Sequence, residues 1–146
     1  MENDGDFDLT DFLPYLLNQA AEEASLAFQQ VYRERYGMLR TEWRVLFHLG
    51  RYGPMTAAEI GARARIHKTK ISRAVAALES RRFLTRARLE ADRRQEELRL
   101  TVAGQRAFED LRGLASAHND RLRAGFSERD WQGLTRSLRH LARMDR

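Results

Sequence analysis

From Thr10 to about Tyr36 apolar residues return at helical spacing, at Leu13, Leu17, Ala20, Ala24, Ala27, Phe28 and Val31, which predicts one long first helix. Thr10 or Asp11 is placed to cap it, and Pro14 falls in the first turn, where a missing N–H costs least. Gly37 and the following Met-Leu-Arg break the pattern. Thr41 is expected to cap a second helix carrying Trp43, Leu46, Phe47 and Leu49, which Gly53-Pro54 ends. Thr56 and Glu59 form a T-x-x-E capping box ahead of Ile60 and Ala64, a short third helix. After a tight joint near Ile66, a fourth helix runs from His67 or Lys68 to Arg81 with Ile71, Ala74, Val75 and Leu78 inward.

The period then changes to two. Residues 84–89 and 96–101 alternate apolar or small with charged side chains, as a half-buried antiparallel pair does, with Ala91-Asp92-Arg93-Arg94 at the tip. Leu84, Leu89, Leu98 and Leu100 are the residues that would hold the hairpin on the body. Thr101 caps a long fifth helix with Phe108, Leu111, Leu114, Ala115, His118 and Leu122 on one side. Ser127 and Asp130 make a capping box for a sixth, whose Trp131, Leu134, Leu138 and Leu141 recur at 3, 4, 3 spacing. The fold class read from this order is mainly α with a small β-hairpin wing: a winged helix-turn-helix at 37–101 and a helical region at 10–36 and 102–146, preceded by a flexible tail at 1–9.

Composition narrows the function. With 146 residues, 42% hydrophobic and 32% charged, the chain supports one core with helical extensions rather than two. It has no cysteine, which excludes disulfides, thiolate metal sites and a cysteine redox switch. No run approaches a membrane span and the N-terminus is acidic, so the expectation is a cytoplasmic protein with no membrane partner.

Charge is unevenly divided. Residues 1–60 carry 5 basic and 10 acidic side chains, residues 61–99 carry 12 and 5, and residues 100–146 carry 9 and 6. The basic excess lies in the helix-turn-helix segment, which favours a polyanion partner. With Ile71, Val75 and Leu78 buried, Lys68, Thr69, Lys70, Ser72 and Arg73 project outward at a helix N-terminus. These residue types contact phosphates and base edges. A basic outer face alone is ordinary on a solvated helix; the adjacent hairpin tips the reading toward double-stranded DNA. Arg93 and Arg94 at its tip suit the narrow, electronegative minor groove, and Asp92 is placed to accept turn amides or pair with Arg94.

At these residues the chain resembles the MarR family of bacterial transcription regulators. R-x-x-x-x-x-D-R-R (Arg86 to Arg94) followed by L-T-x-x-G (Leu100 to Gly104) is similar to that family's wing, I-x-R-A-x-x-x-L-E (Ile71 to Glu79) to its recognition helix, and W-R-V-L (Trp43 to Leu46) to its second helix. The resemblance implies a homodimer through the first, fifth and sixth helices, engaging a pseudo-palindromic operator. It also implies a cleft for a small aromatic or phenolic effector, in whose segment Tyr36, Trp43 and Arg44 lie. Trp43 as core and Arg44 as a surface pair compete with that assignment. One departure stands out: Arg82 occupies the position after the recognition helix where the family usually has Gly, which puts the helix end and the aim of the wing in doubt.

The apolar stripes of Leu9, Phe12, Leu13 and Leu16 and of Leu134, Leu138 and Leu141 argue separately for pairing, since a thin monomer cannot bury them all. The alternative is that they cover each other within one chain. No catalytic constellation is present: His48, His67, His118 and His140 are scattered, and neither a metal motif, a phosphate loop nor a nucleophile elbow occurs, so neither an enzyme nor a cofactor is expected. His118 reads as a core histidine and His67 as a helix cap or phosphate contact. The reading is a sequence-specific regulator, a ligand-responsive repressor. A sequence-independent architectural DNA-binding protein and a helical scaffold that does not bind DNA remain as alternatives.

Overall fold

The computed structural model describes residues 7–144. Residues 1–6, most of the expected tail, lie outside them. Phe7 and Asp8 are exposed, and Leu9–Asp11 form a 3-10 turn whose cap is the Asp8 carboxylate, 2.9 Å from the Thr10 amide. The first helix, α1 (Leu13–Tyr36), therefore starts at Phe12 with no side-chain cap, and neither Thr10 nor Asp11 serves. The preceding turn supplies the entry that a cap would have given, and Pro14 sits in the first turn. Gly37 ends α1 in the left-handed conformation, φ 62°.

Helix α2 (Arg40–Tyr52) corrects a second expected cap. Its N-cap is Leu39, not Thr41, and the orphan N–H of Leu39 donates to the Glu42 carboxylate at 2.8 Å. An acidic side chain three residues in does what a hydroxyl at the cap usually does. Helix α3 (Ala57–Ala64) is capped by Thr56, whose hydroxyl accepts the Glu59 amide at 3.2 Å. Helix α4 (Lys68–Ser80) is capped by His67, whose Nδ1 accepts the Thr69 amide at 3.2 Å.

Between α2 and α3, Met55–Thr56 forms β1, a strand too short to show a period in the sequence. Strands β2 (Leu84–Arg88) and β3 (Glu96–Leu100) pair antiparallel with Leu84 opposite Leu100 and Arg86 opposite Leu98. The sheet order is β1-β3-β2, with Met55 opposite Leu98. The wing is thus anchored by a third strand. Leu84 and Leu98 are fully buried, while Leu89 and Leu100 are half-buried.

Arg82 resolves the doubt over the wing. It takes the left-handed conformation itself, φ 64°, while the Phe83 amide donates to Leu78 O and the Arg82 amide to Glu79 O, each at 2.9 Å. That is the hydrogen-bond pattern of a glycine-terminated helix, reached here at some strain.

Helix α5 (Val102–Ala124) starts at Thr101, whose hydroxyl accepts the Gly104 amide at 3.0 Å, and α6 (Glu128–Leu141) at Ser127. The core gathers Phe28 and Tyr32 of α1, Val45, Leu46 and Leu49 of α2, Ile60, Ile71, Val75 and Leu78 of the helix-turn-helix, Leu84 and Leu98 of the sheet, and Phe108 and Leu111 of α5. Each large apolar side chain so buried contributes about 1.5–3 kcal/mol. Gly50 permits α2 to cross α5 closely, since a Cβ there would stand 2.3 Å from the Phe108 ring.

The two apolar stripes do not cover each other within the chain. Leu9, Phe12, Leu13 and Leu16 remain exposed, as do Leu134, Leu138 and Leu141, and α6 buries no residue. Its C-terminal end is tied to the α3–α4 joint by Arg65, whose Nη2 donates to the Ala142 carbonyl at 2.8 Å. No helix among the described residues is long and apolar enough to cross a membrane.

Candidate nucleic-acid interface

Helix α4 presents the expected face because its apolar residues fall on the other one. Ile71, Ala74, Val75 and Leu78 are buried, so Lys68, Thr69, Lys70, Ser72 and Arg73 are all exposed. Burial of the first set dictates exposure of the second by the helical period alone. Ser72 lines a groove shared with the wing residues Arg86, Arg94 and Gln95, whereas Lys70 and Arg73 line the side of α4 that faces the start of α2. The Thr69 amide is taken by His67, so the first turn offers fewer free N–H groups to an anion than an uncapped helix would.

The wing tip is built as the acidic residue in it suggested. Asp92 Oδ1 accepts the Arg94 backbone amide at 3.1 Å and Arg94 Nε at 3.3 Å, and the Gln95 amide closes on Asp92 O at 3.0 Å. The Arg94 side chain is nonetheless 93% exposed. A pre-ordered tip bearing an exposed guanidinium loses less entropy on meeting a phosphate or groove floor than a mobile one. Arg93 beside it is exposed as well.

The sequence reading missed what holds the wing at its angle. Arg86 reaches from β2 to Glu79 of α4, Nε to Oε2 at 3.1 Å, and to Glu96 of β3 at 3.6 Å. Half-exposed pairs of this kind stabilise little singly. Their importance is geometric, since they link the helix and wing that flank one groove. The alternation of charge across residues 79, 86 and 96 was visible, but pairing it required the register of β2 on β3.

A second concavity lies where α1, α2 and α5 meet. It encloses about 460 Å³ and is lined by Phe28, Tyr32, Trp43, Arg40, Arg44 and His118, among others. Trp43 and Arg44 therefore fall together as expected. Tyr36 does not: its hydroxyl donates to Asp110 Oδ2 at 2.6 Å and its ring meets Phe83 edge-on, so it joins α1 to α5 outside the cleft. The reason is its place at the last turn of α1, one helical turn beyond Tyr32, next to the wing root rather than the cleft.

Inside the cleft two guanidinium groups stand close. Arg44 Nη2 donates to Ala64 O at 2.6 Å, and Arg40 pairs with Glu22 at 2.6 Å. Burial pushes the Arg44 pKa down, and the neighbouring positive charge of Arg40 pushes it further the same way. His118 stacks on Phe28 and its Nε2 donates to Ala24 O at 2.7 Å, which leaves Nδ1 buried and without a hydrogen-bond partner. Arg40 and His118 went unassigned in the sequence. The i, i+4 pair Arg40 and Arg44 was the available signal, whereas His118 on an apolar stripe looked like core.

Comparison with known proteins agrees with this geometry. The MarR family model matches residues 36–95, the span from the end of α1 through the wing tip. The HTH-type transcriptional regulator YwoH of Bacillus subtilis is 26% identical over 132 residues, 89% of this chain and 93% of that protein. The helix-turn-helix and wing of this chain are thus similar to the MarR family, and the likeness to YwoH runs through most of its length. Among solved structures, the MarR family regulator SPO1453 from Silicibacter pomeroyi is 29% identical, with a TM-score of 0.78 over 96% of this chain and 100% of that one. BpsR of Bordetella bronchiseptica, whose DNA binding is regulated by 6-hydroxynicotinic acid, is 20% identical with a TM-score of 0.84, covering 94% and 98%. What this chain resembles, in sequence and in fold, is a DNA-binding transcriptional regulator of the MarR kind.

Proposed function

We propose that the protein is a ligand-responsive repressor that binds a pseudo-palindromic operator as a homodimer, in the cytoplasm. The observation that carries the reading is the pairing of an outward basic face on α4 with a wing tip whose Arg94 is exposed yet ordered by Asp92. In this reading α4 enters the major groove. Thr69, Ser72 and Arg73 meet base edges, Lys68 and Lys70 meet phosphates, and Arg93 and Arg94 reach the adjacent minor groove. Residues 37–101 are the DNA-binding unit, and residues 10–36 and 102–146 the dimerisation region.

Two exposed apolar stripes at the ends of the chain support the homodimer, because a two-fold interface closes such surfaces on themselves. The pairing would set two copies of α4 about 34 Å apart, one helical turn of DNA. Effector binding is assigned to the cleft of Trp43 and Arg44, with Arg40 and His118 added. Paired guanidinium groups beside aromatic walls suit a small aromatic carboxylate or phenolate, which BpsR's regulator also is in kind. Such a ligand acts by favouring a spacing of the two α4 helices that misfits the operator, which requires different affinities for the two forms.

The deciding experiment is an electrophoretic shift assay on the duplex upstream of the protein's own gene, against a scrambled duplex, through a salt series. Strong preference for the upstream duplex is expected. Equal binding to both would replace the operator reading with an architectural one, and no binding at moderate salt would remove both.

A further inference from the structure

We propose that Arg81 is a positioning residue that fixes the C-terminal end of α4 to the dimerisation helices, so that their movement turns the DNA-reading helix. The inference rests on the assignment of α4 to the operator. Arg81 is the residue that ends α4, and its side chain leaves the DNA-facing surface for the corner between α1 and α2. There Nη1 donates to two backbone carbonyls at the end of α1, Tyr36 O at 3.0 Å and Gly37 O at 2.6 Å. A cation at a helix C-terminus is favoured by the helix dipole and by the unpaired carbonyls there.

A buried charge completes the joint. Glu42 is 3% exposed; one carboxylate oxygen caps the Leu39 amide, and the other, Oε1, has no hydrogen bond and lies 3.5 Å from Arg81 Nη1. Arg81 is the one cation paired with Glu42 among the described residues. Removing the partner of a buried carboxylate leaves a desolvated charge, so the guanidinium is held in place by more than its own two hydrogen bonds. Gly37 is required there by its left-handed φ of 62° rather than by space, since a Cβ would meet the guanidinium in ordinary contact at 3.6 Å.

The same turn of α1 is fastened to α5 on its other side. Tyr36 donates to Asp110 at 2.6 Å, and Arg35 pairs with the same carboxylate at 3.2 Å. Asp110, Tyr36, Arg81 and Glu42 therefore form one contiguous polar junction across α5, α1, α4 and α2. Three of those helices, α1, α2 and α5, line the cleft assigned to the effector. A rigid bolt between the cleft's walls and the end of α4 is the kind of connected element through which a displacement travels.

The test exploits the absence of cysteine. Spin labels at Ala76→Cys on α4 and Arg112→Cys on α5, both exposed positions, report the distance distribution between the two helices in the DNA-free protein, spin-diluted with unlabelled chain. Arg81→Met is expected to broaden that distribution. It should also lower affinity for the upstream duplex about tenfold while affinity for scrambled duplex stays within about twofold. Arg81→Lys, which keeps a charge for Glu42 and a donor for one carbonyl, should recover most of both effects. An unchanged distribution in Arg81→Met, or equal losses on both duplexes, overturns the proposal. Should Arg81→Met not fold, Glu42→Gln decides: it retains the Leu39 cap and removes only the charge, so a broadened distribution supports the bolt and a parent-like one overturns it. If the parent protein itself fails to prefer the upstream duplex, the operator reading falls, while the distance measurement still judges Arg81.

Discussion

The Phe83 carbonyl and the α-carbon of Gly104 are in direct backbone contact: a Cβ at 104 would stand 2.0 Å from that oxygen. The carbonyl cannot retreat, because it accepts the Thr101 amide at 3.1 Å, and the Thr101 hydroxyl donates to the neighbouring Arg82 carbonyl at 2.7 Å. The L-T-x-x-G motif is thus a joint between the root of the wing and the first turn of α5. Gly104→Ala must push the two apart, at a cost of about 1–3 kcal/mol or more. Its melting temperature, followed by circular dichroism at fixed protein concentration, should fall by roughly 5–10 °C. An unaltered melting temperature would show that the contact is easily relieved.

Arg82 is strained where Gly104 is required. A non-glycine residue at φ 64° carries roughly 1–2 kcal/mol of steric cost, part of which glycine returns as lost unfolded-chain restriction. Arg82→Gly should therefore stabilise the fold by about 0.5–1 kcal/mol, read as a higher urea midpoint at unchanged slope. The Thr101 hydroxyl bond goes to the backbone of Arg82 and survives the change. A midpoint that stays put or falls would mean that the Arg82 side chain contributes contacts offsetting its backbone strain.

Arg94 and Arg73 should fail in different ways. Arg94 stands exposed on a tip that Asp92 orders, so Arg94→Ala should weaken binding to all duplexes and lower the salt slope by about one. Arg73 projects from α4 and is assigned to base edges. Arg73→Ala should cost about 1–3 kcal/mol on the upstream duplex and relax preference at the position it reads. Titrations against a panel of single-base variants separate the two patterns. Operator affinity in Arg94→Ala equal to that of the parent would take the wing out of the mechanism.

The helices and the wing were legible because burial imposes a period, and the period survives in the sequence: Ile71, Ala74, Val75 and Leu78 point inward and leave the basic residues of α4 outside. Asp92 was legible because its partner, Arg94, is two residues away. What escaped was set by distance along the chain. Two of the expected caps failed: Thr10 and Asp11 are taken up in a 3-10 turn that Asp8 caps ahead of α1, and Glu42 serves the start of α2 in place of Thr41, alternatives that look alike in one dimension. Strand β1 is two residues long and exists only because β3 lies beside it. Tyr36 belongs to the right helix but points to Asp110, 74 residues later, and no local pattern encodes that partner.

That partnership predicts an alkaline signature. Burial, with the hydrogen bond to Asp110 adding to it, pushes the Tyr36 hydroxyl up to about 12 from an ordinary value of 10.0. Between those values the unfolded chain has released the phenolic proton and the folded chain still holds it. The folded state binds more protons there, so stability is fully present below pH 10 and declines as pH rises from about 10 through about 12. Tyr36→Phe removes the titrating group together with the bond. Near neutrality the variant should be less stable by about 1 kcal/mol, the net value of one such hydrogen bond, since Asp110 keeps its pairing with Arg35. Tyr32, also shifted upward by burial, titrates in both proteins and cancels in the comparison. The stability difference measured by urea unfolding should therefore shrink as pH climbs from 9 towards the limit at which the fold persists. A difference that holds constant across that range would mean that Tyr36 ionises as freely in the folded chain as in the unfolded one, and that its bond to Asp110 does not hold the proton.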